Sequence, residues 1–207
     1  MTEQQIADAI AAKARELAYQ GKLVAVDVPI INQLAASLYS RFPTGVPEPV
    51  WVQVARSLIG QREIVGPKHN SWIASSWARL GASWYNDDET PWCGLFVAHC
   101  LDAAKLAYPK NFPAAASFRD YGVSSHPQLG AIAVKARSGG NHVFFIVGET
   151  PDRRYFKGLG GNQSNAVSIA DFLKTDIDAI RWPAQVPQPA TRSLPTLPHG
   201  TISRNEA

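Results

Sequence analysis

Cysteine is scarce in this chain, with Cys93 and Cys100 as the two examples among 207 residues. Two thiols cannot form the framework of a disulfide-rich secreted fold. Both fall in one apolar run that reads as helix, where seven residues at about 1.5 Å each set them about 10 Å apart, beyond disulfide reach. There is no CxxC pair, and His99 beside Cys100 points elsewhere on the helix, so no ligand set with zinc spacing is visible. Neither a metal nor another cofactor is expected. Runs of like charge are also missing: a net charge of +3 without a Lys/Arg cluster excludes a nucleic-acid footprint. No apolar stretch is long enough to span a bilayer, so stable membrane insertion is not expected. Asp8, Lys13, Arg15 and Glu16 break up any signal-peptide core, which predicts synthesis in the cytosol without a secretory signal. What remains, 45% hydrophobic and 18% charged, is an ordinary globular composition, expected to act as a monomer.

The most informative stretch is Asp87-Asp88-Glu89-Thr90-Pro91-Trp92-Cys93-Gly94-Leu95-Phe96-Val97. Thr90 is a preferred N-cap residue and Pro91 suits the first helical position, so a helix is expected to start here with Cys93 as its third residue. A thiol in that place feels the positive end of the helix, which favours thiolate. Two readings of Cys93 follow: a nucleophile at the mouth of a buried helix, or a small buried hydrophobe. Cys100, deeper in the same apolar helix, reads as core. Asp87, Asp88 and Glu89 work against a thiolate. They either favour the helix dipole while pointing away, or one of them, Glu89 included, grips a cationic group on a substrate. An oxyanion would need a donor besides the Cys93 N–H, and Asn86 or a backbone N–H is the candidate.

Around this stretch, residues 1–42 predict a helical hairpin, with apolar stripes at Ile6, Ile10, Ala14, Leu17 and at Ile30, Ile31, Leu34, Leu38. Pro43, Gly45, Pro47 and Pro49 mark a linker over 43–49, and the main domain is read as 50–183. Helices are expected at about 50–60 and 70–80, and a short one around 114–121. Five of the six tryptophans lie between Trp51 and Trp92; most read as core, with Trp92 the candidate groove wall. The period then changes. Leu129–Ala136, His142–Val147 and Tyr155–Leu159 read as strands, with a β-turn at Thr150–Arg153. A further helix is expected at 168–174. From 184 to 207 the tail is rich in proline, which predicts disorder.

Thiol catalysis needs a base beside the sulfur and a third group to orient that base. Of five histidines, His142 opens a buried strand after a Gly-Gly turn, whereas His99 faces away from Cys93 and His69, His126 and His199 lie in loops or tail. A two-residue hairpin tip at Pro151-Asp152 sets His142 opposite Gly161; a three-residue loop sets it opposite Asn162. Either register brings a side-chain amide to the imidazole. Cysteine on a helix, histidine on a strand and asparagine on the next strand is the papain-like arrangement.

These blocks, together with Gly130–Val134, Asn141–Gly148, Leu159-Gly160-Gly161-Asn162-Gln163 and Arg181-Trp182-Pro183, resemble a phage-associated branch of the papain-like cell-wall hydrolases, related to the CHAP and NlpC-type groups. The resemblance covers about 49–183. It implies an α+β fold: a papain-like core whose nucleophile-bearing helix packs on a small antiparallel sheet, preceded here by the helical hairpin. It also implies an endolysin-like peptidoglycan amide hydrolase with Cys93 as nucleophile and His142 as base. Many CHAP relatives carry a glutamate two positions before the asparagine; that position is Gly160 here, so orientation falls to Asn162, with Gln163 as substitute. The expected partner is bacterial peptidoglycan, cleaved in the stem peptide or at the muramoyl–peptide junction after release of the enzyme from the cytosol. Rival readings are a thiol acyltransferase or protease acting on a protein, and a non-catalytic wall-binding module.

Overall fold

A computed structural model describes residues 48–189 and 194–200. The expected N-terminal hairpin lies outside the described residues. Helix α1 spans Val50–Ser57 and α2 spans Ser71–Arg79, both close to expectation. Asn70 caps α2, its side-chain oxygen accepting from the N–H groups of Trp72 (2.9 Å) and Ile73 (3.3 Å). Helix α3 spans Cys93–Ala103, and eight of its eleven residues are buried. That is what a sequence apolar on every side requires. A 3-10 helix follows at Ala115–Asp120, where the short helix was expected.

Six strands form one antiparallel sheet: β1 (Val123–Ser124), β2 (Ile132–Arg137), β3 (Gly140–Glu149), β4 (Tyr155–Gly160), β5 (Ser168–Leu173) and β6 (Ile177–Trp182), in the order β1-β6-β2-β3-β4-β5. The chain is therefore mixed helix and antiparallel sheet. The hydrophobic core joins α1, α2, α3 and the 3-10 helix to the central strands. Phe96 of α3 meets Phe145 of β3 with ring centroids 6.0 Å apart, and Trp51 of α1 packs edge-on to Trp182 of β6 at 5.1 Å. No helix among the described residues is long and apolar enough to cross a membrane.

Three expectations are corrected. Residues 168–173 form a strand, not a helix; a 3-10 turn at Lys174–Asp176 comes only afterwards. The misleading residue is Asp171, which belongs on a buried face because it pairs there with the buried Lys157 of β4. Helix α3 begins at Cys93 with Trp92 as N-cap, two positions later than the Thr90-Pro91 signal indicated. Thr90 is occupied elsewhere: its N–H (2.6 Å) and hydroxyl (3.2 Å) both donate to the Asp87 carboxylate. The tail is also more engaged than its proline content suggests. Trp182 Nε1 donates to Val186, and the Glu149 N–H and Leu197 N–H exchange bonds that lay Pro195–Leu197 beside the end of β3.

Candidate active site around Cys93 and His142

Cys93 opens α3 and is only 3% exposed. The backbone N–H of Val143, the residue after His142, is among the groups that act on its thiol. The Ile146 N–H points to β2, bonding Ala131, so by alternation the Val143 N–H points the other way, toward β4. Strand β4 ends at Gly160, short of that N–H. Burial pushes the thiol pKa up; the Val143 N–H, the Arg137 charge and the helix-start N–H groups of Gly94 and Cys93 pull the other way. Desolvation wins. The expectation of a thiolate favoured by the helix terminus is thus corrected: the terminus acts in the expected direction but is outweighed.

His142 is fully buried, and its ring lies nearly parallel to those of Phe144 (5.8 Å) and Phe172 (5.5 Å), which stack on each other at 4.0 Å. Its Nε2 is 3.2 Å from Oε1 of Gln163. The Gln163 amide is oriented by its other end. Nε2 of Gln163 donates to the backbone oxygens of Ser168 (2.7 Å) and Gly158 (3.3 Å), groups that can only accept. The oxygen must then face the imidazole, and His142 must donate from Nε2. In the neutral ring this leaves the lone pair on Nδ1. The side-chain amide that meets the imidazole is consequently that of Gln163 and not that of Asn162.

The strand register explains both the near miss and its correction. Phe145 pairs with Leu159 and Ile146 with Gly158, the register that sets residue 162 across from His142; a bulge at Val147 shifts the pairing further along the hairpin. The chain leaves the strand before that pair forms. Asn162, Ser164 and Asn165 all have left-handed backbone (φ 56°, 52° and 60°), costing about 1–2 kcal/mol each for a non-glycine residue. This turn folds Gln163 back over Gly160. A Cβ on Gly160 would lie 2.3 Å from the Gln163 amide oxygen, so a side chain at that position would displace the glutamine amide. On the other face, a Cβ on Gly161 would meet Phe96 and Trp92 at 2.6 Å, so α3 presses directly on the backbone there. Asn162 is buried at this turn.

The remaining candidates are placed as follows. Trp92 is fully buried, not a groove wall; its Nε1 donates to Glu63 at 2.8 Å, and burial raises the Glu63 pKa. Trp84, 70% exposed, is the tryptophan that faces solvent. Asp87 holds its own loop and Glu89 is exposed. Asn86 is exposed and makes no hydrogen bond among the described residues.

Asp88 is the residue that sequence reasoning underrated. Its buried carboxylate accepts from the N–H groups of Ile64 and Asn70 (2.8 Å each) and contacts His69 Nδ1 at 2.9 Å. These bonds hold its pKa below the usual carboxylate range despite burial, and Asp88 raises that of His69. Such a long-range pairing leaves no local signal. His99 faces away from the sulfur as expected, where burial and Arg79 lower its pKa to about 4. Both cysteines are free thiols, and no cluster of three metal-ligating side chains occurs among the described residues. A surface depression of about 280 Å³ lies between Ser124–Ser125 and Ile177–Arg181, on the β1–β6 side of the sheet and not at Cys93. Compared with known proteins, the chain matches no family model, no curated protein and no solved structure.

Proposed function

We propose that the chain is a papain-like cysteine hydrolase that cleaves an amide bond of bacterial peptidoglycan, with Cys93 as nucleophile, His142 as general base and Gln163 as the residue that orients the base. The observation that carries this reading is the Gln163 amide. Anchored on two backbone oxygens, it fixes His142 as the Nε2–H tautomer and so assigns basicity to Nδ1. A buried histidine that only filled space would need no such arrangement on a strained turn.

The chemistry then runs in two halves. The Cys93 thiol proton passes to Nδ1 as the sulfur attacks the substrate carbonyl carbon. The thiol lies near the backbone N–H of Val143, the residue after His142, and so at the strand that carries the base. The imidazolium returns its proton to the departing amine as the tetrahedral intermediate collapses to a thioester. Water, deprotonated by the same nitrogen, attacks the thioester carbonyl, and the imidazolium returns the proton to the departing sulfur as the new carboxylate is released. The raised thiol pKa makes the base essential, since little thiolate exists before proton transfer. The N–H groups of Cys93 and Gly94, unpaired within the helix because they open it, supply donors for the oxyanion.

Peptidoglycan as substrate is supported by the resemblance of the Cys93, His142 and Gly160–Gln163 blocks to the CHAP and NlpC-type groups. An endolysin-like role, with synthesis in the cytosol and action at the wall, fits a live thiol kept in a reducing compartment. A turbidity assay on purified peptidoglycan tests it. Clearing is expected from the untreated protein and should be lost after iodoacetamide modifies Cys93; clearing that persists with Cys93 fully modified would overturn the proposal.

A further inference from the structure

Residues 60–63, between α1 and α2, run beside the chain that follows Gln163. The Gly60 N–H donates to Val167 O at 3.0 Å, the Val167 N–H to Gln61 O at 2.7 Å and the Glu63 N–H to Asn165 O at 2.9 Å. Arg62 and Ala166 pair between them. Ala166 O in turn accepts from the Gln163 N–H at 2.9 Å, closing the turn that aims the Gln163 amide at His142. The Glu63 side chain reaches the other half of the site. Its Oε1 accepts from Trp92 Nε1 at 2.8 Å, and Trp92 is the N-cap of α3, one residue before Cys93. Glu63 therefore holds both the turn that carries the orienting amide and the residue that starts the nucleophile helix. It is itself fixed from both sides: the Ile64 N–H donates to the buried Asp88 carboxylate and the Asn70 amide to Arg62 O, each at 2.8 Å.

The Gln163 turn needs such support. Asn162, Ser164 and Asn165 all hold left-handed backbone, which in non-glycine residues persists only where neighbouring contacts over-determine it. Asn165 is the residue whose oxygen the Glu63 N–H engages. We propose that Glu63 is a positioning residue of this site: with its carboxylate on Trp92 and its N–H on Asn165, it keeps the Gln163 turn in register with the start of α3. What the role requires is an acceptor and not a charge, since an amide oxygen in the same place takes the indole N–H as well. The effect on turnover rests on the hydrolase reading above; the effect on the imidazole does not.

The test reads His142 directly, by 15N NMR of its ring nitrogens in the full chain, with cleavage of a soluble stem-peptide fragment measured alongside. Glu63→Ala should turn the single Nε2–H tautomer of the native neutral ring into a mixture. It should also lower kcat about tenfold with KM nearly unchanged. Glu63→Gln keeps the acceptor and should keep both the tautomer and most of kcat. Trp92→Phe removes the same bond from its other end and should give the same mixture. The two changes together should be no worse than the more damaging one alone, because they break one shared bond. A merely structural role makes a different pattern: a lower melting temperature in Glu63→Ala and Trp92→Phe with the tautomer unmoved. That pattern overturns the proposal, as does a Glu63→Gln protein as impaired as Glu63→Ala. If Glu63→Ala does not fold, Trp92→Phe carries the same test, and loss of the fold in both makes the contact structural and overturns the proposal too. A native protein that cleaves no stem peptide, in which the tautomer still responds as expected, would instead mark failure of the hydrolase reading.

Discussion

Replacing Gln163 by methionine removes the amide while keeping the length and much of the volume of the side chain. Four contacts go: the acceptor 3.2 Å from His142 Nε2, and the bonds to Ser168 O, Ser168 Oγ and Gly158 O. Two carbonyl oxygens lose a donor in or near the core, which costs about 1–3 kcal/mol of stability. The imidazole loses the group that selects its tautomer and holds its plane. Because it still rests on Phe144 and Phe172, it stays in place and can reach the active form part of the time. We expect kcat to fall by about 10- to 100-fold, less than the 10²–10⁴ loss typical of removing a base outright, with KM nearly unchanged. The assay is steady-state cleavage of a soluble stem-peptide fragment, paired with 15N NMR of the two His142 ring nitrogens. The native protein should show Nε2 protonated and Nδ1 bare in the neutral ring; the Met variant should show a mixture. An Nδ1–H tautomer in the native protein, or an unchanged kcat in the variant, would refute the assignment of Gln163.

Gly160→Ala should act through the same contact. Its new Cβ would stand 2.3 Å from the Gln163 amide oxygen and 3.1 Å from the Phe144 Cβ, so turnover should drop at least tenfold while far-UV circular dichroism stays native. Asp88→Ala strands the N–H groups of Ile64 and Asn70 and should cost about 3 kcal/mol by chemical denaturation, where loss of a merely exposed acid would cost almost nothing. The His69–Asp88 pair should give stability a pH dependence of definite sign. The folded state raises the His69 pKa, so its contribution is full below the ordinary histidine value and fades as pH rises through the raised one. The melting temperature should therefore decline from about pH 6 upward, and His69→Gln should flatten that slope. Cys100→Ser puts a hydroxyl into a fully buried site on α3 and should cost about 1–2 kcal/mol of stability with little loss of activity.

The contrast between Asn162 and Gln163 shows what local pattern reveals and what it hides. Residues 142–147 and 155–159 announce themselves as strands, and the register near His142 is the one expected of a three-residue loop, though it is reached through a wider turn and a bulge between Ile146 and Gly148. Left-handed backbone at Asn162 does not follow from that pattern, because asparagine tolerates but does not demand it. One residue of departure from the strand exchanges the side chain that meets the imidazole. The start of α3 was misjudged for a similar reason: Thr90 is a good cap in isolation, but Asp87 takes its N–H and hydroxyl. Strand β5 was hidden by a buried charge, Asp171, whose partner Lys157 lies fourteen positions earlier on β4. The buried helix and its cysteine were legible because a run apolar on every side, with a thiol at its start, has few other solutions.

The central claim is that Cys93 attacks an amide of the cell wall and that water completes the reaction. Its most direct test is digestion of purified peptidoglycan in water enriched in oxygen-18, followed by mass spectrometry of the released fragments. The native protein should release fragments with a new amine and a new carboxylate at one defined amide, each carboxylate carrying a single heavy oxygen, and Cys93→Ser should release none. The same fragments from the serine variant, or no fragments from the native protein, would contradict the account.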